Sequence, residues 1–415
     1  MQFYIDPGTG SMLFTILIGI LGAGIYGLRT LGMKLRFWFS GGKATEVQKD
    51  CIPFAIFSDS KRYWNVFGPI CREFEKRGQE AVYMTASPDD PALTEKFEHV
   101  KCEFIGEGNR AFAKLNMLHA DVLLSTTPGL EVYQWKRSKD VKHYSHILHM
   151  VSDATLYRMF GLDRYDSVLL SGDYQISQIR QLEQLRKIPE KDLRVVGQPY
   201  MDGLWERLQK AAPLGEHPTT VLLAPSWGPS SILNRYGSSF IDELLKTGYQ
   251  VIIRPHPQSF TSEKELLEKL QAQYPDSDRL QWNSDNDNFE VLRKSDILIS
   301  DFSGVIFDFA LVFNKPVIYA DTSFDKAPYD AWFLEEPLWT FETLKKIGTQ
   351  LTEDNFHNVG ALIDACLTNP AFAEAREEAR QGSWAHIGQS AALTVDYLME
   401  TRQALAAPLP ETAIS

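Results

Sequence analysis

Residues 295–319, SDILISDFSGVIFDFALVFNKPVIY, decide the fold. Ile297, Leu298 and Ile299 make a short apolar run of the kind that fills a buried parallel strand. Ser300 to Gly304 break that run with small and polar residues, and Val305 to Phe313 are apolar at nearly every position, as in a buried helix. Pro316 then opens a second strand, Val317 to Tyr319. A strand, a tight turn and a helix start leave unpaired backbone N–H groups aimed at one point. With the Ser303 hydroxyl and with Gly304, which lets a ligand approach, that point suits an anion. The expected anion is a phosphate of a nucleotide-activated donor.

The same rhythm extends outward. Before this stretch, Thr220–Ala224, Gln250–Ile253 and Leu280–Trp282 read as strands, with helices over Phe240–Thr247 and Ser262–Gln273. Further back, strands are expected at Ile52–Phe57, Glu80–Met84, Lys101–Ile105, Asp121–Ser125, Ser145–His149, Ser167–Leu170 and Leu193–Val196. Helices are expected at Lys61–Arg77, Asn109–Leu118 and Tyr174–Arg186. Strands alternating with helices imply parallel sheets covered on both faces. The predicted fold class is therefore α/β: two doubly wound Rossmann-like domains, residues 50–212 on the acceptor side and 218–382 on the donor-nucleotide side, facing a cleft. Beyond Asp330 the signal is helical only. Residues 383–403, with an apolar period over Ile387–Tyr397, read as a helix packing back across both domains, and 404–415 as a flexible tail.

Residues 1–43 differ in kind. Met12 to Leu28 carry no charge and are mostly apolar, and Arg29, Lys34, Arg36 and Lys43 follow with no acid until Glu46. As a helix the apolar segment spans about 26 Å at about 1.5 Å per residue, a little under the roughly 30 Å of a hydrocarbon core. It reads as a membrane anchor with a basic juxtamembrane segment. It either makes a single N-terminal pass or lies in one leaflet, and the charge bias puts the catalytic domains on the cytoplasmic side of the cytoplasmic membrane.

A chain of 415 residues exceeds one ordinary domain, and 44% hydrophobic content supports sizeable cores. A net charge of −12 and a pI of about 5.3 argue against a nucleic-acid surface. Cys51, Cys71, Cys102 and Cys366 are scattered, which fits free thiols better than disulfides or zinc.

The candidate motifs all follow strands, where ligands of such sheets bind. In Arg254-Pro255-His256-Pro257 two prolines fix the backbone around His256, and a guanidinium beside an imidazole suits a pyrophosphate and a leaving phosphate. The bland alternative is a turn whose histidine caps a helix. Asp301 and Ser303 sit in the anion turn with Gly304, and could equally be N-caps. Asp308, one turn further, is read as a ribose ligand, as a residue that holds the loop, or equally as a buried cap. Ser226 and Trp227 lie in the loop Ala224–Ser231 and suit a base or phosphate contact, or an ordinary loop with a packed tryptophan. His149, at the end of a first-domain strand, could take a proton from an acceptor hydroxyl, or be a satisfied core histidine. His143, His146 and His149 are spaced by three, but a strand over His146–Val151 points His146 and His149 to opposite faces, and no metal is assigned.

Taken together, Arg254-Pro255-His256-Pro257, Ser300 to Phe309 and Lys315 to Tyr319 resemble the CDP-glycerol glycerophosphotransferase family of teichoic-acid-type polymerases and primases. Ala224-Pro225-Ser226-Trp227 is similar to that family's Ala-Pro-Thr-Trp segment, and His149-Met150 to its His-Gly or His-Ala. The resemblance departs at Gly304, where a second serine is usual, at Gly228, where arginine is usual, and at Met150, where a small residue is usual. It implies a GT-B fold, no cofactor or metal, and transfer of glycerol phosphate, or a related polyol phosphate, from a CDP-activated donor to a hydroxyl with release of CMP. It further implies His149 as base, with Arg254, His256, Ser303 and the Gly304 amide on the diphosphate. The expected partners are a CDP-polyol donor, a lipid-linked or polymeric acceptor and the membrane, in cell-envelope polymer synthesis. A GT-B glycosyltransferase using a nucleotide sugar, or an inactive envelope-assembly scaffold, are the alternatives.

Overall fold

The computed structural model describes residues 51–285, 287–301, 303–320 and 324–407. Seven parallel strands form the first sheet: β1 (Ile52–Ser58), β2 (Ala81–Thr85), β3 (Val100–Phe104), β4 (Ala120–Ser125), β5 (Val141–Ile147), β6 (Ser167–Leu170) and β7 (Asp192–Val195), in the order β3-β2-β1-β4-β5-β6-β7. Six form the second: β8 (Thr220–Leu223), β9 (Gln250–Ile253), β10 (Leu280–Trp282), β11 (Ile297–Ser300), β12 (Val317–Ala320) and β13 (Gly348–Leu351), in the order β10-β9-β8-β11-β12-β13. All pairings within these sheets are parallel, for example Leu298 opposite Leu222 and Val317.

Period-two alternation places the cores. Phe54 and Ile56 enter one face of the first sheet while Ala55 and Phe57 enter the other. In the second sheet Val221, Leu223, Ile297 and Ile299 pack on one side, Leu222 and Leu298 on the other. Both faces are thus apolar, which is why these strands read as continuous hydrophobic runs.

Strand order reverses twice, between β1 and β4 and between β8 and β11. Chain leaving neighbouring strands at such a reversal heads in opposite directions and opens a crevice at the carboxyl ends. The loops after β1, β4, β8 and β11 border these crevices.

Several elements differ from expectation. The helical signal beyond Asp330 is interrupted by β13, which pairs with β12 through Ile318–Thr349 and Tyr319–Gln350. The helix expected at Lys61–Arg77 is a 3₁₀ turn, Lys61–Tyr63, followed by the helix Trp64–Lys76. The strand expected at Ser145–His149 runs from Val141 to Ile147, so His149 lies beyond it. The helix expected over Val305–Phe313 is a short turn, Val305–Phe307, that widens into a π-turn, Asp308–Val312. The last helix, Ser390–Ala406, continues past residue 403. Its Val395, Tyr397 and Leu398 join the first sheet's core, whereas Trp384 just before it belongs to the second sheet's core. Among the described residues no helix is long and apolar enough to cross a membrane; the segment Met12–Leu28 and the tail after Ala407 lie outside them.

Candidate active site

On the second sheet, the order β9-β8-β11 sets three loops side by side. Residues 254–257 leave β9 and 301–304 leave β11, about 10 Å apart at roughly 4.8 Å per strand, with the Ala224–Ser231 loop between them.

His256 is fixed by its own turn. The Gln258 N–H donates to Nδ1 at 3.1 Å, so the neutral ring carries its proton on Nε2 and presents a donor. Burial, then the charge of Arg62, pulls this imidazole down to about 4, against Glu263. At pH 7 it is a neutral hydrogen-bond donor. Arg254 turns toward the loop after β10, where it bonds the Asn283 side chain and donates to the Asp285 carbonyl at 2.7 Å.

Asp301 is 1% exposed, and its two oxygens accept the N–H groups of Ser226 at 2.8 Å and Ile232 at 3.3 Å. It holds the β8 loop against β11, which makes it a positioning residue. Ser226 gives its N–H to that clamp, while its buried Oγ has no partner among the described residues. Trp227 is 47% exposed. Gly228, with φ +93°, takes a conformation strained for any other residue, and its N–H meets Glu263 at 2.9 Å.

Ser303 and Gly304 are partly buried at the start of the turn that carries Asp308. Burial raises the Asp308 carboxyl to about 7, and among the described residues no hydrogen-bond donor reaches it. Its charge is felt by Tyr200, whose hydroxyl donates to Asn288 at 2.9 Å.

On the first sheet, His149 Nδ1 lies 3.2 Å from Thr126 Oγ1 and 3.0 Å from Tyr157 Oη. Either hydroxyl can accept from an Nδ1–H, which leaves the Nε2 lone pair open. The Tyr63 ring flanks the imidazole at 5.0 Å. Burial, then Arg62, lowers the ring to about 4. His143 pairs with Ser167 at 2.9 Å and His146 is buried between the Tyr157 and Tyr165 rings. No group of three His, Cys, Asp or Glu side chains able to hold a metal occurs among the described residues.

The two sheets meet at Met150. A side chain begun at Gly304 would start 3.2 Å from Met150 Sδ, so the residue after His149 rests on the anion turn. The polar latches lie further along. Asp153 accepts from the N–H groups of Trp339 and Thr340, both at 2.8 Å, and Arg186 bonds both Asp163 and the buried Asp330.

Sequence reasoning passed over Arg62. It follows β1 in the stretch Asp59-Ser60-Lys61-Arg62, which reads as the polar start of a helix. Its charge lowers both His149 and His256, although they belong to different sheets.

The family model for CDP-glycerol:poly(glycerophosphate) glycerophosphotransferase matches residues 139–346, half of the chain. That range contains His149, Ser226, Arg254, His256 and Ser303. Among solved structures, the wall teichoic acid polymerase TagF, in a variant soaked with CDPG, is 14% identical over 88% of this chain and 92% of its own, with a TM-score of 0.56. S. aureus MnaA bound to UDP is 13% identical over 87% and 99%, with a TM-score of 0.58. The UDP-GlcNAc 2-epimerase of Neisseria meningitidis is 15% identical over 84% and 99%, with a TM-score of 0.52. These likenesses are at the level of the fold, two parallel-sheet α/β domains of the GT-B kind. No curated protein matches the sequence. The match to the family model, over strands and loops that include the motifs of both sheets, shows that the chain belongs to the CDP-glycerol:poly(glycerophosphate) glycerophosphotransferase family.

Proposed function

We propose that this enzyme transfers glycerol phosphate, or a related polyol phosphate, from a CDP-activated donor to a hydroxyl of a lipid-linked or polymeric acceptor. The observation that carries this reading is the contact of Met150 with Gly304, which sets the candidate base beside the anion turn.

In this reading the acceptor hydroxyl gives its proton to His149 Nε2 as its oxygen attacks the β-phosphorus. The new P–O bond forms as the bond from that phosphorus to the bridging oxygen breaks, and CMP leaves with the electron pair. His256 Nε2–H, the Ser303 hydroxyl and the Gly304 amide donate to the oxygens on which charge collects. A neutral donor suits this task, because it needs no proton lost or gained before the step. Arg254 keeps N–H groups beyond those it gives to Asn283 and Asp285, and these reach for the diphosphate. Trp227 supplies a face for the base, Ser226 Oγ a hydroxyl, and Asp308 an acceptor for the ribose hydroxyls. Asp301 acts through the loop it holds. The chemistry is positioning and electrostatics, with no covalent intermediate on the protein.

The N-terminal segment, in this reading, keeps the enzyme at a membrane that also carries its acceptor. Product analysis with CDP-glycerol, CDP-ribitol and UDP-sugars tests the reaction. CMP and a new phosphodiester are expected, and His256→Ala should lower turnover by about 10²–10³ with the fold intact. A nucleoside diphosphate with a new glycosidic bond, or near-normal turnover in His256→Ala, would overturn the reading.

A further inference from the structure

We propose that Arg62 is a catalytic residue supplied by the first sheet, whose guanidinium closes over the phosphoryl group as it passes between His256 and His149. The proposal rests on the reaction proposed above.

β1 and β4 border the strand reversal of the first sheet, so the loop Asp59–Tyr63 opens onto the crevice where a ligand of this fold binds. The 3₁₀ turn Lys61–Tyr63 is anchored there. Ser60 caps it, accepting the Arg62 N–H at 3.4 Å, and Tyr63 lays its ring 5.0 Å from the His149 imidazole. Arg62 is thus held one residue from the side chain that flanks the candidate base, and Met150, next to that base, rests on Gly304 of the anion turn.

Arg62 is exposed, and among the described residues its one side-chain hydrogen bond is Nε to Ser60 Oγ at 3.3 Å. No carboxylate pairs with it among the described residues. Its neighbour Lys61 is neutralised by Asp89. An arginine left unpaired at a crevice has both terminal nitrogens available for an anion.

The sequence points to Arg254 as the cation of the site, but part of that guanidinium is committed to Asn283 and Asp285, which leaves only its remaining N–H groups for the diphosphate. The positive charge felt by both histidines is that of Arg62. Phosphoryl transfer spreads charge over the equatorial oxygens while the attacking and leaving oxygens lie in line. A cation between the group that takes the proton and the group that holds the leaving phosphate stabilises that spread. Because the cation comes from one sheet and the donor loops from the other, it also ties catalysis to a closed cleft.

The test compares wild type, Arg62→Ala, Arg62→Lys and the neighbouring Lys61→Ala in CMP release from CDP-glycerol with acceptor present. Circular dichroism and thermal unfolding serve as controls for folding. Arg62→Ala is expected to lose about 10²–10³ in kcat with a smaller change in donor KM. Arg62→Lys should recover part of the loss, Lys61→Ala should match wild type, and millimolar guanidinium should partly rescue Arg62→Ala. The pH profile gives an independent readout. Arg62 disfavours protonation of both imidazoles, so its removal should raise their pKa values and move the acid limb to higher pH. The other groups that bear on them remain in place: Tyr63, Tyr157 and His146 around His149, and Glu263 beside His256. Asp59, next to Arg62, also remains. Arg62→Ala with kcat near wild type, or a loss in KM alone with an unmoved acid limb, overturns the proposal while leaving the reaction intact. Wild type that releases no CMP from any CDP-polyol overturns the reaction itself, and this inference with it.

Discussion

Asp308 is a carboxylate that a protein built only for stability would not keep. It is held in low-dielectric surroundings with no donor among the described residues, on a π-turn of the kind that recurs at functional sites. The folded protein retains its proton up to about pH 7, whereas the unfolded chain releases it near 3.8. The folded state thus binds more protons across that window, and stability falls as pH rises through it. Every tenfold difference in proton affinity between the two states is worth about 1.4 kcal/mol, discounted for the water that reaches the cleft. Asp308→Asn should therefore stabilise the protein by about 2–4 kcal/mol at pH 8 and hardly at all at pH 4, by urea unfolding, while lowering transfer activity. Unchanged stability at pH 8 would remove the case for a strained functional group. Other single residues show what a lone sequence hides. Gly304 and Met150 look like two unrelated departures from the family pattern, yet the sulfur of one fills the space left by the other. Arg62 was illegible for a related reason. A polar stretch capped by Ser60 reads as a helix start, and its place at a strand reversal exists only once strand order is known.

Among the elements, the buried parallel strands were legible because both faces are apolar, and the donor loops because prolines and glycines punctuate them. β13 was not. As an edge strand of sequence Gly348-Thr349-Gln350-Leu351 it buries its first and last residues and leaves Gln350 exposed, so it carries no apolar run. The π-turn was equally hidden, since an extra residue in a turn leaves apolar periodicity almost unchanged. The crossing from the second sheet to the first depends on Asp202. Its carboxylate accepts the Trp384 indole N–H and the Ser390 N–H, both at 2.9 Å, and the Ser390 hydroxyl as well. It thus fixes the bend ahead of the last helix. Asp202→Ala leaves those donors unsatisfied and should cost about 2–4 kcal/mol, read as a lower urea midpoint. A change below about 0.5 kcal/mol would mean the helix docks through its apolar face alone.

At the scale of the whole molecule, the sequence conveyed two sheets and a cleft between them, because the strand–helix rhythm restarts after residue 218. It did not convey how the halves are fastened. Asp153 bonded to Trp339 and Thr340, and Asp330 bonded to Arg186, join residues more than 140 positions apart, and nothing local announces such pairs. Asp121 fastens the chain in another way. One of its oxygens meets Cys51 Sγ at 3.5 Å and the other meets Arg402 Nε at 2.9 Å. The residue just ahead of β1 and the helix that ends the described chain therefore share a single carboxylate, at the end of the first sheet where its strands start, away from the crevice. A short linker could splice residue 407 to residue 51, with new ends cut in the exposed stretch 212–217. Such a circular permutant, which lacks the N-terminal segment, should keep both sheets and full transfer activity toward a soluble acceptor, since no catalytic loop is interrupted, and a permutant that folds but is inactive on that acceptor would show that the original connectivity itself aligns the two halves.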